Sequence, residues 1–309
     1  MTSHEMTIPP FYPMEPVIAE QPFDSERHIF QVKWDGVRCL AYADTGGVRL
    51  FNRRLNEKTT QYPELLEALQ DMPPGTVLDG EIVAPGQDGK PSLYRVLERD
   101  QLKSPASIHT QRKSIPIIYM AFDVIFYKGK CIAGEPLVKR QEMLKELIHP
   151  GDCIHPVESI TGRGRALFDA VSKEGMEGIV SKEAQSPYLI GKKTRLWQKI
   201  KSWREMEALV CGWVKENGRL RSLIFGEMQG GEIVYIGNAS SGLGEKYRQQ
   251  FQRYLSAEYG DRLPCPFTAV PAVKGAVWTL PEIKLRVRFL EWSGDYKMRN
   301  PVIMLQENL

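Results

Sequence analysis

The chain has 309 residues, 42% hydrophobic and 26% charged, with a formal net charge of +3, which indicates one or two globular domains with a core and excludes a disordered or fibrous chain. No apolar stretch reaches the roughly 18 residues that span a bilayer, and the N-terminus MTSHEMTIPP lacks the layout of a secretory signal, so we expect a cytoplasmic protein with no membrane partner. The five cysteines are isolated and odd in number, which argues against a disulfide framework or a zinc ribbon.

The stretch Gln31–Arg38, QVKWDGVR, places Lys33 at the end of a predicted strand, because apolar residues alternate before it. The Asp-Gly pair that follows indicates a turn into a second strand, VRCLAYAD. Taken alone, this pattern is more typical of an ordinary hairpin whose lysine points to solvent than of a functional lysine. The interpretation of Lys33 therefore depends on the rest of the chain.

Strands and helices alternate through the first two-thirds of the sequence. TVLDGEIVAP and PIIYMAFDVIFY are predicted strands, and Lys128-Gly129-Lys130 turns the second into a short return strand. Apolar stripes predict helices over 136–148 and 164–173, and those stripes belong to the core. Three charged residues fall at strand ends in this region: Arg53, Glu81 and Glu177. Each of them alone is ordinary turn or surface material.

Basic residues are concentrated between Lys182 and Arg204, where seven of them accompany one acid. The seven are Lys182, Lys192, Lys193, Arg195, Lys199, Lys201 and Arg204. Such a run is more often a solvated face than a phosphate site. Strand alternation, however, puts Lys199 and Lys201 on one face together with Trp197. Two neighbouring ammonium groups repel each other unless an anion lies between them.

After residue 201 the predicted pattern changes from alternating strands and helices to a series of short strands. ALVCGWVKENGRLRSLIFGEMQGGEIVYIGNA predicts short strands broken by Asn-Gly and Gly-Gly turns, followed by a helix over 245–256. Residues 283–289 predict a strand with one apolar and one cationic face. About five strands and one helix indicate a small barrel of the OB type, a fold often used on nucleic acid. We place the domains at 1–203 and 204–309.

In their order along the chain, these residues resemble the nucleotidyltransferase motifs of the ATP-dependent DNA ligase and capping-enzyme superfamily. The residues are Lys33, Arg38, Arg53, Glu81, Glu177, Lys199 and Lys201. The C-terminal part looks most like the OB domain of bacterial ATP-dependent ligases, including the ligase module of non-homologous end-joining enzymes. The resemblance spans nearly the whole chain and implies an α+β fold: a nucleotidyltransferase (adenylation) domain of antiparallel sheets with flanking helices, then an OB-fold barrel. Because only 32 residues precede Lys33, we expect a minimal ligase.

The resemblance implies that Lys33 becomes adenylylated by ATP. A primary amine, whose ordinary pKa is about 10.4, is a poor nucleophile at neutral pH, and desolvation and neighbouring cations help it to lose its proton. Lys199 and Lys201 would supply those cations and hold the α-phosphate, which would be the anion between them. By the same resemblance, Asp35 and Glu177 hold a hydrated divalent cation, Mg²⁺ or alternatively Mn²⁺.

Further roles follow from the same likeness. Gln31 and Glu81 are assigned to the nucleotide site, Glu81 near the ribose, and Phe122 resembles the aromatic residue that stacks on adenine, although Phe122 fits the core equally well. Arg38 and Arg53 would grip the 5′-phosphate of a nick. The implied partner is nicked double-stranded DNA, sealed by a protein that we expect to be a monomer and to work with DNA-end-binding or repair proteins.

The C-terminus departs from the family pattern. Arg299-Asn300-Pro301 is present, but the family's later Leu-Arg-x-Asp-Lys segment is replaced by residues 305–309, LQENL, so a second arginine and a lysine are missing. In the family those cations reach the β- and γ-phosphates. Lys297 and Arg299 are the nearest candidates to replace them, and we expect Arg299 to carry the contact.

Three alternatives to a DNA ligase stay open at this point. A GTP-dependent capping-type nucleotidyltransferase shares the lysine motif. An RNA ligase is possible because no residue assigned here distinguishes the sugar of the strand. A catalytically silent relative would bind nucleic acid without forming a covalent adenylate. Labelling with ATP and with GTP separates the first from the others. An NAD-dependent ligase would need a further N-terminal domain and a cysteine zinc site, which we do not find in this sequence.

Overall fold

The computed structural model describes residues 8–86, 88–151, 153–258 and 263–305. The chain divides into two compact units, Met1–Ser202 (unit 1) and Trp203–Leu309 (unit 2). Among the described residues, no helix combines the length and apolar character needed to cross a membrane. Residues 306–309, where the family's second arginine and lysine are missing, lie outside the described residues.

The described residues of unit 1 form eleven strands and five α-helices. The strands are β1 Glu15–Ala19, β2 Ser25–Val32, β3 Val37–Asp44, β4 Gly47–Asn52, β5 Thr76–Val83, β6 Ile118–Tyr127, β7 Lys130–Cys131, β8 Ile154–Pro156, β9 Ile160–Gly162, β10 Gly178–Glu183 and β11 Lys193–Lys201. The helices are α1 Pro63–Ala68, α2 Leu93–Asp100, α3 Pro105–Ser114, α4 Leu137–Leu147 and α5 Gly164–Lys173. The predicted helices α4 and α5 and the return strand β7 are confirmed, whereas α1, α2 and α3 were not predicted.

The strands of unit 1 form two sheets. The first has the order β1-β11-β10-β2-β9, and the second has the order β4-β3-β5-β6-β7 with β8 beside β6. The predicted antiparallel pairing is confirmed, and the two exceptions are the parallel pairs β1 with β11 and β6 with β8. Helix α5 covers the first sheet through a cluster that includes Phe30, Val171 and Ile200. The largest core lies on the second sheet.

The chain passes from the first sheet to the second between β2 and β3. Lys33 stays tied to the first sheet, because its backbone N–H donates to the Gly178 carbonyl at 2.9 Å. Gly36 already lies against the second sheet, where a Cβ would sit 2.1 Å from the Ile82 carbonyl oxygen, so only glycine fits there. Asp35-Gly36 therefore forms a crossover between sheets, and the hairpin turn expected from the sequence is wrong.

Unit 2 is the C-terminal OB-fold domain. Its elements are β12 Arg204–Glu216, β13 Arg219–Gln229, β14 Glu232–Ala239, α6 Glu245–Glu258, β15 Ala276–Trp278, β16 Lys284–Phe289 and β17 Val302–Met304. The strands pair antiparallel in the order β14-β13-β12-β16-β17, with β15 beside β12. Arg286 and Arg288 of the cationic face of β16 stand opposite Glu207 and Glu205 of β12. Acidic residues of the neighbouring strand therefore partly balance the predicted cationic face.

Candidate active site

A cavity of about 610 Å³ opens in unit 1 between residues of the two sheets. Its size lies within the roughly 300–1,000 Å³ that is usual for small-molecule sites. The cavity wall brings together most of the residues assigned from the sequence: Gln31, Lys33, Arg38, Arg53, Glu81, Phe122 and Lys199. Residues distant in the sequence thus meet at one place because Lys33–Arg38 links the first sheet to the second.

Glu177 places one carboxylate between two ammonium groups. Its Oε2 lies 2.5 Å from Lys33 Nζ, and its Oε1 lies 3.6 Å from Lys201 Nζ. The side chains of Lys33 and Glu177 are 22% and 7% exposed, so water screens the pair only partly. The register of β10 on β11 sets Gly178 opposite Lys201. Gly178 has φ +135° and a Cβ there would lie 2.1 Å from the Ile200 carbonyl oxygen, so glycine is required beside Glu177.

Lys199 adds a third ammonium group to this cluster. Burial lowers the pKa of Lys199, and the charges of Lys201 and Lys33 lower that pKa further. Lys33 and Lys201 share the carboxylate of Glu177, whereas the carboxylate that acts on Lys199 is that of Glu15. The mutual repulsion of the three lysines is relieved when an anion enters. The expectation that Lys199 and Lys201 face an anion remains a prediction with a geometric basis.

Asp35 lies in the crossover segment and is half-buried. Within the described part of the chain, no group of three or more His, Cys, Asp or Glu side chains surrounds a point where a metal ion could sit. Magnesium commonly keeps several of its waters and binds through one or two carboxylates together with substrate phosphates. The assignment of Asp35 and Glu177 as metal ligands therefore remains a prediction, based on carboxylates of the kind that this ion uses.

Glu81 stands opposite Arg38 on neighbouring strands. Burial raises the pKa of Glu81 to about 8, the charges of Lys33 and Arg38 oppose that shift, and those of Glu177 and Asp79 add to it. At neutral pH the carboxyl group is therefore largely protonated. In that form it can donate a hydrogen bond as well as accept one.

Arg38 is bound within the protein by a carboxylate that the sequence analysis did not identify. Its Nε and Nη2 donate to Oδ1 and Oδ2 of the fully buried Asp79 at 3.0 and 2.5 Å. The Tyr188 hydroxyl donates to the same Asp79 at 2.7 Å, and the guanidinium carbon lies 5.3 Å from the centre of the Phe122 ring. Asp79 thus occupies the edge of the guanidinium formed by Nε and Nη2, and the contact of Arg38 with a nick phosphate remains a prediction.

Lys182 is a cavity residue that the sequence analysis missed. It is 2% exposed, and its Nζ lies 4.2 Å from the ring centres of both Phe122 and Trp197. Its Nζ has no hydrogen-bond partner among the described residues, and burial lowers the pKa of Lys182 to about 7. Val180 and Lys182 are two residues apart on β10, so they lie on the same face of the strand, and Val180 also lines the cavity. This alternation could have placed Lys182 in the site.

Phe122 lies both in a core cluster and at the cavity wall. It packs edge-to-face on Trp197 with 6.1 Å between ring centres, and it also lines the cavity. The stacking of Phe122 on adenine therefore remains a prediction.

Arg53 lies at the edge of the cavity, in the exposed loop that follows β4. Asn52 orders this loop, because its Oδ1 accepts from the backbone N–H groups of Arg54 and Asn56 at 2.9 and 3.0 Å. Leu55 adopts φ +63° at the tip, which is uncommon for a side chain other than glycine or asparagine. The loop is therefore a tight turn that carries two consecutive arginines.

Arg299 belongs to unit 2 and is not among the residues that line the cavity. Its Nε lies 2.9 Å from Glu291 Oε1, and its backbone N–H donates to the Glu291 carbonyl at 3.0 Å. Lys297 pairs with Asp295 on the same loop. Within unit 2, Arg299 thus has a carboxylate partner that the sequence analysis did not identify.

Residues 16–201 match the family model described as ATP dependent DNA ligase domain, and residues 216–306 match the one described as ATP dependent DNA ligase C terminal region. The SPbeta prophage-derived DNA ligase-like protein LigB of Bacillus subtilis is 36% identical over 200 residues, which cover 64% of this chain and 70% of that protein. The multifunctional non-homologous end joining DNA repair protein LigD of Mycobacterium tuberculosis is 30% identical over 277 residues, which cover 87% of this chain and 35% of that protein. The chain thus spans about a third of the length of the LigD relatives.

Solved structures agree with these matches. The structure of mycobacterial DNA ligase D complexed with ATP and MES has a TM-score of 0.55 and 26% identity, and the match covers 96% of each chain. A Lig E DNA ligase, at 19% identity, shares the fold with a TM-score of 0.62 over 94% of this chain. The family models cover both units, and the matched segments contain every residue of the cavity that was assigned from the sequence. The chain therefore belongs to the family of ATP-dependent DNA ligases, and it is an enzyme of that family.

Proposed function

We propose that the cavity of unit 1 binds ATP and that Lys33 accepts its adenylyl group, as the first of three steps that seal a 5′-phosphate/3′-hydroxyl nick in duplex DNA. The observation that carries this proposal is the arrangement of Lys33 against Glu177 with two further lysines beside them, at the wall of a cavity of nucleotide size. We also propose that residues 1–203 form the adenylation domain and 204–309 the OB domain.

In the first step, the neutral amine of Lys33 attacks the α-phosphorus of ATP. The Nζ–P bond forms, the P–O bond to the β-phosphate breaks, pyrophosphate leaves with the bonding pair, and the nitrogen releases one proton to water. Lys199 and Lys201 hold the oxygens of the α-phosphate as charge builds up on them. The carboxylate of Glu177 lies 2.5 Å from the Lys33 Nζ, so this ion pair has to open before the nitrogen can attack.

Asp35 and Glu177 are the residues that would hold the metal ion, Mg²⁺ or Mn²⁺, together with the phosphates. When bound, such an ion offsets the negative charge of the triphosphate and of the departing pyrophosphate. The carboxylate of Glu177 would then have two successive partners, Lys33 before the nucleotide binds and the ion afterwards.

The nucleoside end of the cavity is supported by three contacts. Phe122 offers a ring face to the base, with the Lys182 ammonium 4.2 Å from the centre of that ring. Glu81, with a pKa raised to about 8, remains protonated at neutral pH and can donate to a ribose hydroxyl. Gln31 contributes an amide that lines the cavity.

In the second step, AMP moves from Lys33 to the 5′-phosphate of the nick, and in the third the 3′-hydroxyl attacks that phosphate and releases AMP. We assign the contact to the nick phosphate chiefly to Arg53, because Arg38 already makes two bonds to Asp79. Binding through phosphates releases condensed counterions, so DNA affinity should fall steeply with salt.

The biological setting is proposed from the relatives alone. The LigD relatives carry non-homologous end joining in their names, so we propose repair of DNA in the cytoplasm, by a monomer that works with DNA-end-binding or repair proteins. An RNA ligase, a capping-type enzyme and a silent binding protein are less well supported, because both family models matched by this chain describe DNA ligases.

The test is a sealing assay on two nicked duplexes, one with a 5′-phosphate and one already adenylated at that phosphate. The wild type should seal the first with ATP and the second without it. Lys33→Ala should lose only the first activity, because the second begins after its step. A nick with a 5′-hydroxyl is the negative control. Absence of sealing of either substrate by the wild type, or equal sealing with GTP, would contradict the proposal.

A further inference from the structure

Gln31 presents one polar atom to the cavity. It is 2% exposed on β2, and its Nε2 donates to Gln141 Oε1 at 3.0 Å, to Ser159 Oγ at 2.9 Å and to the Val157 carbonyl at 3.5 Å. Its Oε1 makes no hydrogen bond to any described residue. The amide oxygen is therefore the atom of Gln31 that remains for a ligand.

The backbone carbonyl of Phe122 fixes the orientation of the Gln31 amide through Gln141. The Phe122 carbonyl can only accept, and it accepts from Gln141 Nε2 at 2.5 Å. Gln141 must therefore turn its Oε1 towards Gln31, which in turn must offer its Nε2. Ser159 closes the ring, since its hydroxyl accepts from Gln31 and donates to Gln141 Oε1 at 3.3 Å.

The hydrogen bonds from Gln31 through Gln141 to Phe122 connect the residue proposed to contact the edge of the base with the residue proposed to stack on its face. Gln141 bonds to the carbonyl of Phe122, whose ring lines the cavity beside Gln31. A base lying on Phe122 would thus meet an acceptor held at its edge. Adenine has an N6 amino donor at the position where guanine and hypoxanthine have an O6 acceptor. An amide oxygen attracts the first and repels the second.

We infer that Gln141 and Ser159 are positioning residues for nucleobase specificity: they hold the Gln31 amide with its oxygen towards the base, and so favour ATP over 6-oxo purine nucleotides. This inference rests on the proposed function of the cavity. Gln141 lies on α4, one residue after the buried Arg140, and neither Gln141 nor Ser159 is among the residues that line the cavity. Their effect on specificity therefore acts through Gln31.

The test compares labelling of the protein by three α-labelled triphosphates: ATP, ITP with its O6, and purine riboside triphosphate, which carries hydrogen at position 6. The wild type should prefer ATP over purine riboside triphosphate by about tenfold, and over ITP by more, since a hydrogen bond is lost and a repulsion is added. Gln141→Met keeps the side-chain length but frees the Gln31 amide to turn. Its preference for ATP over ITP should fall about tenfold, mainly through KM for the nucleotide.

Two further variants complete the comparison. Ser159→Ala removes a single hydroxyl and should lower the preference about threefold, which also covers the case that Gln141→Met does not fold. Glu142→Met, at the exposed neighbouring position of α4, should leave the preference unchanged. A wild type that is labelled equally by ATP and ITP, or variants with wild-type preference, would overturn the inference and leave the proposed function standing. No labelling of the wild type by any triphosphate would overturn both.

Discussion

Lys33 Nζ lies 2.5 Å from Glu177 Oε2, while the other oxygen of the same carboxylate lies 3.6 Å from Lys201 Nζ. One largely buried carboxylate is therefore the counter-ion of two lysines, one of which is the proposed nucleophile. In the proposed mechanism, this carboxylate leaves Lys33 when ATP and its metal ion enter the cavity.

Glu177→Ala should lower enzyme adenylylation by at least about 100-fold, because the proposed metal ligand and the partner of Lys33 are lost together. This variant should also lower the free energy of unfolding by about 1–3 kcal/mol, since two ammonium groups lose their counter-ion. Denaturant unfolding measures this cost.

The double variant Lys33→Met/Glu177→Met is the matched control for stability. Removing both charges leaves fewer unpaired ions, so its free energy of unfolding should lie closer to the wild-type value than that of Glu177→Ala. A double variant that is less stable than Glu177→Ala would show that the packing of these side chains, rather than their charges, determines stability at this point.

Glu81→Gln should bind ATP nearly as well as the wild type at pH 7, within about threefold, because glutamine imitates the protonated carboxyl group. The pKa of Glu81 is raised to about 8, so the wild-type group is protonated below that pH and ionised above it. Wild-type affinity for the nucleotide should therefore weaken from pH 7 to pH 9 relative to that of Glu81→Gln. A constant ratio of the two dissociation constants over this range would contradict a protonated donor at position 81.

Lys182→Met should change the pH dependence of stability. The pKa of Lys182 is lowered to about 7 by burial, whereas in the unfolded chain it is near its ordinary value. Below pH 7 the lysine is protonated in both states, and above it the unfolded chain binds the additional proton, so wild-type stability rises with pH. The difference in free energy of unfolding between the wild type and Lys182→Met should therefore be about 3 kcal/mol larger at pH 9 than at pH 6.

Lys173→Met, at an exposed position of α5, is the control for Lys182→Met. Its stability relative to the wild type should be the same at both pH values. If Lys182→Met also showed no pH dependence, the Lys182 ammonium would not be desolvated in the folded protein.

Arg299→Ala should slow enzyme adenylylation strongly yet leave sealing of an adenylated nick nearly unchanged, because pyrophosphate is absent from the later step. The ion pair with Glu291 supplies a control, since Glu291→Gln removes that partner but keeps the arginine. Glu291→Gln should retain adenylylation. Equal defects in both variants and in both assays would assign Arg299 to the folding of unit 2.

Local patterns were sufficient to predict much of the fold and several cavity residues. The end of β2 before Lys33 and the alternation of Lys199 with Lys201 follow from strand periodicity, which one stretch of sequence contains. The sequence suggested turns at Gly36, which follows Asp35, and at Gly178, which follows Glu177. Their actual role, close approach to the carbonyls of Ile82 and Ile200, depends on strands far away in the sequence.

The remaining features depend on long-range pairs. Asp79, which binds Arg38, and Gln141, which orients Gln31, lie on other elements, and their sequence neighbourhoods suggest only a strand and a core helix. Helix α2, by contrast, had a local signal that was not used: Ser92 caps it by accepting from the Arg95 N–H. Lys182 was counted in a basic run, although its burial came from packing between Phe122 and Trp197.

The most direct test of the assignment of Lys33 is to incubate the protein with α-labelled ATP and magnesium, denature it, and map the labelled peptide. Lys182 is a second lysine in the same cavity and has a pKa lowered to about 7, so the two lysines must be told apart by position. We predict an acid-labile, base-stable label on the peptide that contains Lys33, and none on Lys33→Ala. A label that persists in Lys33→Ala, or that maps to Lys182, would contradict the assignment.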